Sequence, residues 1–213
     1  MEALEFIRQF PIKSYQKGEM LFGEGAASDT LLAVRSGYIK VTSLSDAGLE
    51  RLLWIAGRYD MAPTEQLFTV AGTLQFFYTA LSDCEVYRVH KGKFLAYAQL
   101  HPALMSEIAL SMSSHYDDLL NRIDSIEQTS IRNKLIHTLC YLARRFSGGD
   151  SVDLCQLGLK LTHQDIADMI GSTRETTSLE LGKLSRSGGL VYDRSQFTIC
   201  VSRLMALQVS EAR

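Results

Sequence analysis

Residues 171–184 read GSTRETTSLELGKL, which sets Arg174 beside Glu175 among short hydroxyl side chains. Each of these residue types has a partner in duplex DNA. An arginine fork donates two hydrogen bonds to guanine O6 and N7, and a glutamate accepts one from cytosine N4. Hydroxyls as short as those of Ser172, Thr173 and Thr176 reach phosphates without holding a helix away from the groove. A plainer reading also exists, in which Ser172 and Glu175 only form a capping box and Arg174 is a solvated charge. The surrounding elements decide between the two.

Thr162, with Asp165 three residues on, is placed to cap a short helix whose apolar face is Ile166, Met169 and Ile170. Gly171 makes a tight turn, and Ser172 opens a second helix. Thr177, Leu181 and Leu184 fall on its inner face, so Arg174, Glu175 and Ser178 turn outward near its start. Gly188 and Gly189 stop it. Two strands follow, Leu190–Tyr192 and Gln196–Val201, joined by Asp193, Arg194 and Ser195. Helix, turn, helix and hairpin in this order predict a winged helix-turn-helix. Its expected contacts are Arg174, Glu175 and Ser178 to bases. Thr162, Ser172, Thr173, Thr176, Arg186 and Arg194 are expected along the phosphates.

The chain as a whole allows this. Of its 213 residues 46% are apolar and 22% charged, enough for a buried core, and no apolar run is long enough for a membrane span. The start, MEALEFIRQF, lacks the pattern of an export signal. Cys84, Cys140, Cys155 and Cys200 are scattered, which predicts reduced thiols in a cytosol rather than disulfides or a metal site. The net charge of −2 is not that of a strongly basic nucleic-acid binder. Its distribution is uneven: residues 1–130 hold 11 Lys+Arg against 16 Asp+Glu, and residues 131–213 hold 11 against 8. Any DNA contact is therefore expected in the C-terminal third.

From about residue 10 to 97 the pattern is one of short strands and turns. Leu31–Val34, Tyr38–Thr42, Leu52–Ile55, Gln75–Leu81 and Glu85–Val89 are separated by turn signals such as Ser36-Gly37. A small antiparallel sandwich or barrel follows. At Pro102 the period changes. Met105, Ile108, Met112, His115, Leu119, Arg122 and Ile126 recur at spacings of three and four, widened by Leu104, Tyr116, Leu120 and Ile123. A stripe that wide predicts a long helix serving two surfaces, the chain's own sheet and a second copy of itself. Ser130 then caps a helix over Ile131–Phe146, with Ile131, Leu135, Leu139, Leu142 and Phe146 buried, and a hinge lies near Gln128–Ser130.

The segments KGEMLFGEG, LLAVRSGYIKV, TSIRNKLIHTLCYLA and LTHQDIADMIGSTRETTSLELGKL resemble the cyclic-AMP receptor/fumarate-nitrate regulator (CRP/FNR) family of bacterial transcription factors. The resemblance covers nearly the whole chain. It implies an α+β protein: an N-terminal antiparallel β-roll of the cyclic-nucleotide-binding type over 1–100, a dimerisation helix over 101–128 and a winged helix-turn-helix over 129–213. It also implies a homodimer reading a palindromic operator, with RNA polymerase as a further partner. Arg174-Glu175-Thr176 and Ser178 match the family's recognition helix. Leu179 stands where the family usually has another arginine, so one guanine fork is missing, and the expectation is altered or relaxed specificity at one base pair, an apolar contact with a thymine methyl being one form of it.

The sensor half departs further from the family. The cyclic-nucleotide-binding members carry a Gly-Glu pair and an Arg-Ser pair for ribose and phosphate, and the matching positions here are Pro63-Thr64 and Leu74-Gln75. The positions that would reach the purine are Leu119 and Leu120. A buried phosphate without a cation is costly, so cyclic AMP is not expected to bind. The place is apolar and aromatic instead, with Trp54, Tyr59, Met61, Leu74, Phe76, Phe77 and Tyr78. These residues either fill the roll or line a pocket for an apolar or aromatic effector. In the first case the regulator is effector-independent, its roll structural or read by another protein. No iron–sulfur ligand set exists near the N-terminus, and His90, His101 and His115 are isolated, so neither that cluster nor haem is expected. No nucleophile, paired-acid or metal motif predicts catalysis.

Overall fold

The computed structural model describes residues 2–26, 29–68, 73–147 and 153–209. They form two compact units, residues 1–117 and 118–213.

Among the described residues the first unit holds two four-stranded antiparallel sheets. One runs β1 (Ile12–Tyr15), β8 (Cys84–His90), β3 (Thr30–Ser36), β6 (Met61–Ala62). The other runs β2 (Met20–Phe22), β7 (Phe77–Ala80), β4 (Ile39–Leu44), β5 (Glu50–Ala56). Successive strands mostly alternate between the sheets, which is the winding of a roll. The sequence of β3 shows why the first sheet is covered on both faces. Leu32 and Val34 point into the roll, among Ile39, Val41 and Val86. Leu31 and Ala33 point the other way, into a second cluster with Ile7, Phe94, Leu104 and Ile108. A period of two with apolar residues on both faces needs a second layer.

Helices supply that layer: α1 (Glu2–Ile7), α2 (Lys91–Leu100) and the start of α3 (Pro102–Glu127). The strands-only reading of residues 10–97 misses α2. His90 offers it no side-chain cap, and it is held by burial of Phe94 and Ala98 and by Phe6 stacked on Tyr97 at 4.2 Å. At 26 residues α3 is about 39 Å long, and the division between the units falls inside it.

The second unit packs α4 (Ile131–Phe146), α5 (His163–Ile170) and α6 (Arg174–Arg186) with a three-stranded antiparallel sheet. That sheet is ordered β10 (Leu190–Asp193), β11 (Gln196–Cys200), β9 (Leu154–Gln156). The Ser130 hydroxyl caps α4 by accepting from the Asn133 amide at 3.1 Å. Along α4 Leu135, Leu139, Leu142 and Phe146 are buried, while Ile131 is only half buried. The expected strand through Val201 ends at Cys200. Val201–Val209 forms α7, whose start is held by the Asp153 carboxylate accepting from the Ser202 amide at 2.9 Å. Gly189 is fixed by space, since a Cβ there would lie 2.6 Å from Leu204 Cδ2.

Residues 118–127 of α3 belong to the second unit through their side chains. Asn121 accepts from Arg144 at 3.0 Å, Asp118 pairs with Arg145 at 3.1 Å, and Asp124 pairs with His137 at 2.8 Å. Arg122 is buried there at 3% exposure, although its spacing is that of the apolar stripe. The compact units therefore part between Asp117 and Asp118, N-terminal to Gln128–Ser130.

Candidate nucleic-acid interface

Local sequence builds the helix-turn-helix. Thr162 and Asp165 close a reciprocal capping box at the start of α5, with the Asp165 amide donating to the Thr162 hydroxyl at 3.1 Å. Ile166, Ala167, Met169 and Ile170 are buried. Gly171 then adopts φ 67°, a left-handed conformation that glycine reaches without strain. The Ser172 amide donates back to the Ala167 carbonyl at 3.0 Å. Ser172 thus finishes α5 rather than opening α6, which corrects the expected cap. The cap of α6 is Thr173, whose hydroxyl accepts from the Thr176 amide at 3.2 Å.

Thr177, Leu181 and Leu184 are buried as the period predicts. Arg174, Glu175 and Thr176 are exposed on the first turn of α6, and Leu179 is 68% exposed one turn further. First-turn amides and exposed side chains thus share one end of the helix, where the helix dipole favours an anion. Ser178 departs from its expected outward position. It is half buried, and its hydroxyl shares a 2.8 Å hydrogen bond with His163 Nδ1. Arg186 is exposed in the last turn of α6. Arg194 is exposed at the tip of the β10–β11 hairpin, with φ 55°.

His163, not singled out by the sequence, joins these parts. Its ring meets Tyr192 of the hairpin edge-on at 5.0 Å, and its Nε2 is buried without a hydrogen-bond partner. Burial, and then the Arg174 guanidinium, hold its pKa below the ordinary histidine value. The unfolded chain therefore takes up the proton more readily than the folded one. Stability from this site is full above the unfolded value of about 6.5 and is lost as pH falls through the folded value. Melting curves are expected to show Tm falling below about pH 6.5, with the fall flattened in His163→Gln. Equal slopes in the two proteins would remove His163 from the account.

In the first unit, the residues expected to line one effector pocket divide between two clusters. Leu74 and Tyr78 are fully buried in the interior cluster, and Trp54 and Phe76, partly buried, pack against it. Met61 packs in the other cluster, and Tyr59 is 57% exposed. Leu119 and Leu120 are half exposed on α3, in the second unit. The Pro63-Thr64 stretch carries polar contacts instead. The Tyr78 hydroxyl donates to Glu65, and burial followed by the Glu65 charge raises the phenol pKa, which keeps that proton in place. His115 lies 3.5 Å from the Thr64 hydroxyl and 3.7 Å from Asp60, with its ring 5.1 Å from that of Trp54.

His115 therefore faces its own roll, as do Ile108 at 5% exposure and Met105. Of the stripe expected to meet a second copy, Met112, Leu119 and Ile126 are exposed, together with Tyr116, Leu120 and Ile123. Among the described residues no group of three His, Cys, Asp or Glu converges as a metal site would require. No helix among them is long and apolar enough to cross a membrane.

A roll joined through a long helix to a winged helix-turn-helix, with a charged and exposed first turn on its second helix, defines a two-part DNA-binding regulator. Comparisons with known proteins agree. Residues 133–209 match the Crp-like helix-turn-helix domain, and residues 12–101 match the cyclic nucleotide-binding domain. The chain is 27% identical over 183 residues to the anaerobic regulatory protein of Bacillus subtilis, covering 86% of this chain and 76% of that one. It is 22% identical over 171 residues to the cAMP-activated global transcriptional regulator CRP of Pasteurella multocida, covering 80% and 81%. The structure of FixK2 from Bradyrhizobium japonicum superposes with a TM-score of 0.79 at 18% identity, covering 93% and 96%. The chain belongs to the CRP/FNR family. It is a DNA-binding transcription regulator and not an enzyme.

Proposed function

We propose that two copies of this chain pair through α3 and read a palindromic operator in a bacterial cytoplasm. The observation that carries this is the exposed apolar row Met112, Tyr116, Leu119, Leu120, Ile123 and Ile126 on one helix. Six such side chains at spacings of three and four make a seam, and leaving them in water is costly. A two-fold pair offers two α6 helices to half-sites about 34 Å apart. Arg174 and Glu175 read base edges, and Leu179 meets a thymine methyl. Thr162, Ser172, Thr173, Thr176, Arg186 and Arg194 lie along the phosphates. Ser178 is left out of this set, since its hydroxyl is bonded to His163. RNA polymerase is the further partner that a transcription regulator of this kind requires.

Cyclic AMP is not the effector in this reading. The positions that would have to hold its phosphate are Leu74, which is fully buried, and Gln75. An effector-independent regulator is favoured at that site by a specific observation: Leu74 and Tyr78 are buried in the roll's own core, and Trp54 and Phe76 pack against it. Sedimentation tests the pairing. The native chain is expected to sediment as a two-chain species. Ile123→Asp is expected to sediment as a single chain with at least tenfold weaker operator binding, since a single chain engages one half-site only. A native protein that is single-chain and still binds the full operator tightly would end this reading.

A further inference from the structure

A cleft of about 480 Å³ opens in the first unit, on the outer side of the sheet that carries β3. That volume is in the range of small-molecule sites. Its apolar lining is Leu4, Met61 and Tyr87, each partly exposed, over Phe94 and Leu104, which are fully buried. Its charged lining is Arg8, Arg35 and Arg58 against Glu107. Arg35 is paired with Glu85 at 3.1 Å, which leaves Arg8 and Arg58 against Glu107 in a unit of residues 1–117 that holds 10 Lys+Arg and 13 Asp+Glu. A second, shallower cleft shares Arg35 and Arg58, so these two stand where both openings meet.

The rim at Arg58 is held under strain. Tyr59 has φ 75°, a conformation unfavourable for an aromatic residue, and its amide donates to the Val34 carbonyl at 2.9 Å. The Val34 amide donates in turn to the Asp60 carbonyl at 2.9 Å. The Arg58 guanidinium lies 4.7 Å from the centre of the Tyr59 ring. Two hydrogen bonds to β3 thus fix a strained turn that sets one arginine over the cleft, and such strain gathers at ligand clamps.

We infer that this cleft binds an organic anion with an apolar body, a carboxylate on an acyl chain. The chain lies along Leu4, Met61 and Tyr87, and the carboxylate sits between Arg8 and Arg58, as guanidinium forks favour. One wall is α3 itself: Leu104, Glu107, Ile108 and Ser111 share a helix face at spacings of three and four. An occupant therefore touches the helix that the proposed pairing uses. The inference rests on the regulator reading for that consequence alone. It also moves the effector site away from the residues that fill the roll.

Calorimetric titration of the full chain with decanoate, without DNA, tests it. Saturable binding is expected, at least tenfold tighter than that of 1-decanol, which has the chain without the charge. Acetate, which has the charge without the chain, gives no saturable heat. Arg58→Gln, at an exposed position where folding is unaffected, weakens decanoate about fivefold, as does Arg8→Gln to a smaller degree. Equal binding of decanoate and 1-decanol, no saturable heat from decanoate, or an Arg58→Gln protein with native affinity would each overturn the assignment. Operator binding measured on the same sample separates this from failure of the regulator reading.

Discussion

Arg122→Ala is expected to lower the stability of the second unit by about 3 kcal/mol, or on the order of 10 °C in Tm. Arg122 is 3% exposed. Its guanidinium donates to the Met169 carbonyl at 2.6 Å and approaches the Thr138 hydroxyl at 3.4 Å. Met169 lies in the last turn of α5, where carbonyls have no partner within the helix. A cation from α3 therefore caps α5 just before the Gly171 turn, where positive charge complements the helix dipole. Burial lowers the guanidinium pKa, because desolvation disfavours the charged form. Alanine removes the cation, leaves a carbonyl and a hydroxyl unpaired, and opens a cavity. Arg122→Met keeps most of the volume and removes the buried charge, so it is expected to cost roughly half as much. Thermal unfolding of the three proteins decides the matter. An alanine variant melting within about 2 °C of the native chain would mean that the guanidinium adds little.

The helix-turn-helix is legible in the sequence because its signals are local. Thr162 and Asp165 are three apart, Gly171 is the one residue suited to the turn, and Thr177, Leu181 and Leu184 keep one helical face. The cap of α6 sits one residue later than expected, because Ser172 and Thr173 are both good caps by type. What separates them is the bond from the Ser172 amide to Ala167, a property of how α5 ends. The helices α2 and α7 are not legible, since their supports are distant in sequence. Phe6 stacks on Tyr97 across the first unit, and Asp153 holds the start of α7 from 49 residues away. Arg122 falls on the apolar stripe by spacing, and nothing in its neighbours announces a carbonyl at residue 169. In the roll, residue types alone are ambiguous between lining and filling. Burial of Leu74 and Tyr78 favours filling, and the cleft lined by arginines lies elsewhere.

Arg174→Ala and Arg194→Ala are expected to fail on DNA in different ways. Arg174 is exposed on the first turn of α6, where side chains enter the major groove. In the proposed two-fold complex, losing a two-bonded guanine fork costs about 1–3 kcal/mol per half-site and is felt twice. Affinity for unrelated sequence should hardly change, so the ratio of specific to non-specific binding collapses. Arg194 is exposed at the hairpin tip, and in the proposed complex it meets phosphate rather than bases. Its removal should weaken every sequence alike and flatten the salt dependence by about 0.9 for each phosphate no longer neutralised. Leu179→Arg adds the third limb of the argument. Residue 179 lies four after Glu175 and is 68% exposed, so a new fork there faces the same groove. One base pair of the preferred site should then shift toward guanine. Selection from a random-sequence pool, repeated for the native chain and the three variants, reads all of these effects at once. If Arg174→Ala kept the native preference while Arg194→Ala lost it, the recognition surface would be the hairpin and not the first turn of α6.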